Sequence, residues 1–350
     1  MAQGGDDFRL TVLNPGGGDP EQHFREKGAA APGTGHPPVN FHGYAACTHG
    51  FFHRDAQRAI VEETPVLLLL RGDFKNSERA FDELKKRGRT VVVSLKETGL
   101  HQIAQQLSNP AKLSRFLNIV READGCIATT PEAAEIYQHV RGKNDDSKVV
   151  FIPTPYPLED RQWDFTVSPD TQSGIFIGTR EWEVPSRNHF AAILVARQLC
   201  ETTGEPVTVF NLDGRKARQL LAEFGFPEGK LRLIEQRKPY VDYLREVAKH
   251  KIVMQLDRSR VPGQVAGDAL LCRMACVGGD GAIERIAFPQ TSGPGRTLDE
   301  ISAIAQELLM NASARAKIVV ESQWRALEQL SFRAVRPQLA DFFARLAFEK

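Results

Sequence analysis

Between residues 54 and 152, short apolar runs alternate with longer stretches of helical periodicity, and no other feature restricts the fold as strongly. Strand-like runs at 65–70, 90–95, 125–129 and 148–152 are separated by helix-like segments at 54–63, 74–87, 110–122 and 131–140. Runs such as Val66-Leu67-Leu68-Leu69-Leu70 carry no polar alternation. That is the pattern of parallel strands buried on both faces by crossover helices. Phe8–Leu13 opens the series as a further strand, and residues 26–40, rich in Gly, Ala and Pro, read as a loop.

Pro153-Thr154-Pro155-Tyr156-Pro157 interrupts the alternation, and a second series then begins. Its strands fall at 174–178, 206–211, 231–234, 251–256 and 275–278, and its helices at 187–203, 214–225, 239–249, 263–274 and 298–310. A helical tail covers 312–347. Two such series predict an α/β chain of two doubly wound Rossmann-like domains facing across a cleft. The boundaries are drawn at 1–165 and 166–330, with a helix at 331–350 returning to the first domain. A length of 350 residues suits two domains of about 150 each.

Composition narrows the function classes. Lys and Arg total 45 against 44 for Asp and Glu, which removes the broad cationic field of a duplex-binding protein. The five cysteines are odd in number and scattered, so reduced thiols in a cytoplasmic setting are expected. No basic-then-apolar leader is visible in Met1–Asp7, and the longest apolar run, five residues, is far short of the roughly 20 needed to span a bilayer. An apolar stripe with basic flanks (Phe332, Val335, Leu339, Phe342, Phe343, Leu346) leaves peripheral contact with the inner membrane face open beside the plainer reading of domain packing.

In open α/β sheets ligands sit at the carboxyl ends of strands, so the strand-to-loop junctions are the candidate sites. After the first strand comes Pro15-Gly16-Gly17-Gly18, where Gly17 and Gly18 would bring backbone N–H groups to a phosphate or sugar. The plainer reading is a flexible turn. After strand 174–178, Arg180 and Arg187 suit bidentate phosphate binding, with Ser186 capping a helix that starts at Arg187. The competing reading pairs both arginines with Glu181 and Glu183. After strand 251–256, Pro262-Gly263-Gln264-Val265 starts a helix whose free N–H groups favour an anion, and Asp268 lies one turn in. The fourth junction is Cys276-Val277-Gly278-Gly279-Asp280-Gly281.

Taken in order, Gly178 with Arg180, Tyr240-Val241-Asp242-Tyr243-Leu244, the Pro-Gly helix with Asp268, and Cys276-Val277-Gly278-Gly279 resemble the donor domain of GT-B glycosyltransferases of the group-1 (family 4) type. Ala123–Thr130 followed by Val149–Pro153 resembles the acceptor domain's approach to the linker. The resemblance implies a hexosyl transfer from a nucleotide-diphosphate sugar to a glycan, lipid or small-molecule acceptor, without metal or cofactor. It implies that Arg180 and Arg187 hold the diphosphate and Asp268 the ribose; the backbone at Glu235-Gln236 would then read the base. Three departures stand out. The family's first glutamate is replaced by Arg260, its lysine by Arg187 at a stretched spacing, and its frequent histidine by Lys96-Glu97, with His101 nearby. Glu97 is the candidate base, unless it only pairs with Lys96.

Two other readings are carried. A degenerate GT-B-like protein that binds a nucleotide sugar or glycan for a partner is motivated by Arg260. An epimerase would need an acid/base set such as His42, His49 and Glu97. A metal site from His42, His49, His53 and Cys47, with His49 and His53 on one helix face, is set aside in favour of polar or capping histidines.

Overall fold

In the computed structural model, which describes residues 8–24, 32–33, 35–179, 181–211 and 214–348, the chain forms two compact units. The first is Met1–Asp160 with Gln329–Lys350, and the second is Arg161–Glu328.

The first unit is built on strands β1 (Thr11–Leu13), β2 (Gln22–His23), β3 (Phe51–His53), β4 (Val66–Leu70), β5 (Val91–Leu95), β6 (Gly125–Ala128) and β7 (Val149–Phe151), in the order β2-β3-β1-β4-β5-β6-β7. All pairs are parallel except β2 with β3. Successive residues of β4 face opposite ways. Val66, Leu68 and Leu70 meet Phe81, Phe116 and Tyr137 on one face, while Leu67 and Leu69 meet Tyr44 and Phe342 on the other. Sequence chemistry sets the helix starts. Asn109 accepts hydrogen bonds from the N–H groups of Ala111 and Lys112 ahead of Pro110, and Thr130 accepts from Ala133 ahead of Pro131.

The tail helix, Phe332–Phe348, belongs to this unit. Its stripe of Val335, Leu339, Phe342, Phe343 and Leu346 is buried against Leu67, Leu69, Val92 and Ile127. Gly125 makes the approach feasible, because a Cβ there would stand 2.9 Å from Phe342 Cζ and 3.1 Å from Leu346 Cδ1. Burial of each large apolar side chain contributes about 1.5–3 kcal/mol. The stripe is thus packed inside the core of this unit, as the plainer reading holds. Among the described residues no helix is long and apolar enough to cross one. The Pro-rich stretch is likewise part of the unit. Tyr156 is fully buried, and its N–H donates to Leu330 O at 2.8 Å, so the division falls after Asp160 rather than at 165.

The second unit has five parallel strands, β8 (Ile175–Thr179), β9 (Val207–Asn211), β10 (Leu231–Ile234), β11 (Ile252–Met254) and β12 (Ala275–Val277), ordered β10-β9-β8-β11-β12. The direction of strand addition reverses between β8 and β11, which is where ligands gather in such sheets.

Elements the periodicity does not reveal cluster early in the chain. Helix Asn40–Cys47 is buried at seven of its eight positions, so it has no polar face to create a period. It ends at Cys47, His49 adopts φ +51°, and His53 lies on β3, so His49 and His53 share no helix face. All five cysteines are buried and unpaired, and Cys47 packs within the core rather than toward the histidines.

Candidate functional site

At the reversal point of the second unit, the loop leaving β8 is stitched to the loop leaving β11. Arg258 N–H donates to Ser186 O at 2.7 Å, and the hydroxyls of Ser186 and Ser259 are 2.7 Å apart. Ser186 is therefore not a helix cap. The helix begins at His189, after a short turn at Pro185–Arg187. That turn aims Arg187 inward between two carboxylates. Its Nε and Nη2 donate to Glu181 Oε2 at 3.2 and 2.5 Å, and its Nη1 donates to Asp257 Oδ2 at 2.5 Å. Burial works against the guanidinium charge, but Asp257 and Glu181 outweigh it and raise the pKa of Arg187. Three of its five N–H groups are used this way, leaving two for a ligand. Glu181 thus pairs with Arg187, as the competing reading holds. Arg180 lies outside the described residues.

Behind Arg187 stand two further acids. Helix Gln264–Leu271 starts after Gly263, whose φ of +96° favours glycine. A Cβ there would also fall 2.1 Å from Glu284 Oε2, so the close approach made at this glycine is by the protein's own carboxyl group. Glu284, on helix Ala282–Ala287, is fully buried. Its Oε1 accepts from Gln255 Nε2, while its Oε2 has no hydrogen-bond partner. Burial pushes its pKa up to about 8. Asp280 accepts from the Arg260 N–H at 3.1 Å and faces Arg260 Nε at 3.4 Å, with its pKa also raised by burial. Asp257 and Glu284 escape the sequence reading, and Asp280 falls in its fourth junction with no role assigned. The available signal is the glycine turn 278–281, one residue before the helix that carries Glu284.

Asp268 is held in a different way. It is 2% exposed, accepts a hydrogen bond from the Tyr240 hydroxyl, and is pushed up to about 7 by burial against the opposing pull of the Tyr240 and Tyr243 hydroxyls. A ribose hydroxyl would compete with Tyr240 for that oxygen. Glu235 is clamped by Arg218 through Nε at 2.9 Å and Nη2 at 2.6 Å, which holds its pKa down. The first turn of the helix holds Gln264 and Val265, where N–H groups lack intrahelical partners. A cavity of about 280 Å³ beside the Pro185–Arg187 turn is lined by Asn188, Leu256, Arg258, Gly279, Gly293 and Leu298.

The carboxyl edge of the first sheet has its own polar group. The turn after β1 wraps around Asn14. Gly17 N–H donates to Asn14 O at 3.1 Å, and a Cβ on Gly17 would lie 2.2 Å from Asn14 Nδ2. Arg71 donates to Gly16 O, so this loop is closed on the protein, while the space beside Gly18 is open. Asn14 Nδ2 donates to Asp19 at 2.9 Å, and Asp19 meets Lys96 Nζ at 3.1 Å. Burial raises the pKa of Asp19, but Lys96 outweighs it and the net shift is downward. Lys96 therefore pairs with Asp19 and not with Glu97, which is exposed at the end of β5. His36 and His42 stack at 3.7 Å, and His42 stacks on Phe52 at 3.5 Å. Burial pushes His42 down to about 3, so it is neutral and donates its Nε2–H to Pro20 O at 2.9 Å.

No protein-family profile matches the sequence, and no curated protein does. Solved structures match it in fold. Anabaena Alr3699/HepE, solved in complex with UDP, aligns over 97% of this chain and 100% of its own at a TM-score of 0.64 and 13% identity. Sucrose-phosphate synthase from Thermosynechococcus elongatus aligns over 98% and 100% at a TM-score of 0.64 and 12% identity. The α,α-trehalose 6-phosphate synthase from Burkholderia multivorans aligns over 84% and 75% at 0.61 and 10%. With its two Rossmann-like units matched end to end by such structures, the chain has the GT-B fold.

Proposed function

We propose that this protein is a glycosyltransferase of the group-1 type, moving a sugar from a nucleotide-diphosphate sugar to a glycan, lipid or small-molecule acceptor. One observation carries the reading: the whole chain aligns with a GT-B structure holding UDP, and this chain places an oriented arginine and a helix start at the reversal point of its second sheet. In this reading the two remaining N–H groups of Arg187 and the first-turn N–H groups at Gly263, Gln264 and Val265 face the diphosphate. As the bond from the anomeric carbon to the diphosphate oxygen breaks, its electron pair goes to the leaving oxygen, where these donors stabilise the charge. Glu284, neutral at pH 7, adds no opposing charge beside the helix start. Glu97 takes the proton of the acceptor hydroxyl, whose oxygen forms the new bond to the anomeric carbon.

A second reading, nucleotide-sugar binding without transfer, has its own support. Arg187 is already engaged by two carboxylates, Glu181 and Asp257, and Arg260 stands where the family carries an acid. Incubation with UDP-, GDP- and ADP-glucose and a panel of sugar and lipid acceptors, read as released nucleotide diphosphate, separates the two. Acceptor-dependent release supports transfer. Binding without release supports the second reading, and an altered sugar formed without acceptor would point to an epimerase.

A further inference from the structure

The antiparallel pairing of β2 with β3 sets His23 opposite Phe51. Residues two apart on a strand share a face, so His23 also meets His53, and their rings lie 5.3 Å apart, edge to face. Glu62, just past the helix Ala56–Val61, reaches back so that its Oε1 stands 3.4 Å from His53 Nε2. One ligand atom from each of these three side chains lies within 4.8 Å of the others.

His53 is 1% exposed, and neither ring nitrogen has a hydrogen-bond partner. A buried imidazole without partners is costly, by about 1–3 kcal/mol per unsatisfied group. The 3.4 Å separation from Glu62 exceeds a hydrogen bond of about 2.7–3.2 Å. It fits two ligands on one tetrahedral zinc ion, whose bonds of about 2.0–2.1 Å place neighbouring ligand atoms roughly 3.3–3.5 Å apart. The nearby Glu21 is engaged, by the Arg54 N–H at 2.9 Å and by Arg58 at 2.6 Å, so it balances Arg58 rather than joining the group.

The geometry points to a binding site for a zinc-like divalent ion formed by His23, His53 and Glu62, with a fourth position facing solvent beside the exposed His23. Two imidazoles and one carboxylate select such an ion over magnesium, which prefers an all-oxygen shell. This group replaces the His42, His49 and Cys47 combination and stands apart from the transferase reading. An ion here ties β2, four residues beyond Asp19, to β3 and to the end of the following helix.

The test uses tag-free, chelator-stripped full-length protein in equilibrium dialysis against zinc chloride, with magnesium chloride as the contrast. His23→Ala and Glu62→Gln are run beside it, their folding checked by circular dichroism; both alter side chains at the surface end of the group. The expected result is one zinc per chain, a raised melting temperature with zinc but not magnesium, and a loss of affinity of at least roughly tenfold in each variant. Substoichiometric binding, or stoichiometric binding that survives either substitution, overturns the proposal.

Discussion

At the carboxyl end of β1, Lys96 meets a single carboxylate, Asp19, beside two stacked histidines, of which His42 is held neutral by burial. At the carboxyl end of β8, Arg187 sits between two carboxylates, with Asp280 and Glu284 behind it. The two sheets share a parallel plan, yet one edge carries a single ion pair and the other a network in which four acids are interleaved with Arg187 and Arg260. Topology therefore supplies the location of each site while its chemistry is set separately by the loops. In the second unit the acid crowding is relieved by burial, which keeps Glu284 protonated at neutral pH.

The strongest way to break this contrast acts on the first unit. If its edge supplies the base, Glu97→Gln lowers turnover by about 100-fold or more with no change in melting temperature, since the side chain is exposed. Unchanged turnover in a steady-state assay would move the base elsewhere. Next is the helix that only the first unit takes from the end of the chain. Phe342→Ala should cost about 3–5 kcal/mol in urea unfolding, whereas Trp324→Ala, at a position 62% exposed in the second unit, should stay within about 0.5 kcal/mol.

Glu284 offers a smaller and more specific effect. Its folded pKa lies above its unfolded value, so its favourable contribution is complete at low pH and is lost as pH rises through about 8. Wild type should lose melting temperature between pH 5 and pH 9 more steeply than Glu284→Gln. Nucleotide affinity should fall more steeply above about pH 8 in wild type than in the variant. The smallest change is Asp19→Asn, which removes one partly exposed ion pair and should cost under about 1 kcal/mol by thermal melting.

Apart from β2 and β3, the strands of both sheets were legible because parallel strands need long apolar runs, and β4, β5 and β8 have them. The region from Asn40 to His53 was not, because a helix buried on all sides and a three-residue strand rich in aromatic residues leave no periodic trace. Candidate site positions were legible as junctions but not as pairings. Gly263 and Gly17 advertise close backbone approach, and the groups that approach are Glu284 and Asn14 of the same chain. Nothing at Asp268 in the sequence announces that Tyr240, 28 residues earlier, holds its carboxyl group. Such contacts depend on tertiary placement, which spacing along the chain does not encode.

Nucleotide binding at the reversal point of the second unit is the property on which the transferase reading depends. Isothermal titration of UDP, GDP, ADP, CMP and dTDP into the full-length protein at pH 7, repeated with Arg187→Ala, tests it. One nucleotide should bind one to one, and loss of the charge-assisted contact, about 1.5–3 kcal/mol, should weaken it by roughly tenfold or more. No binding by any of the five, or binding that Arg187→Ala leaves unchanged, would contradict the assignment.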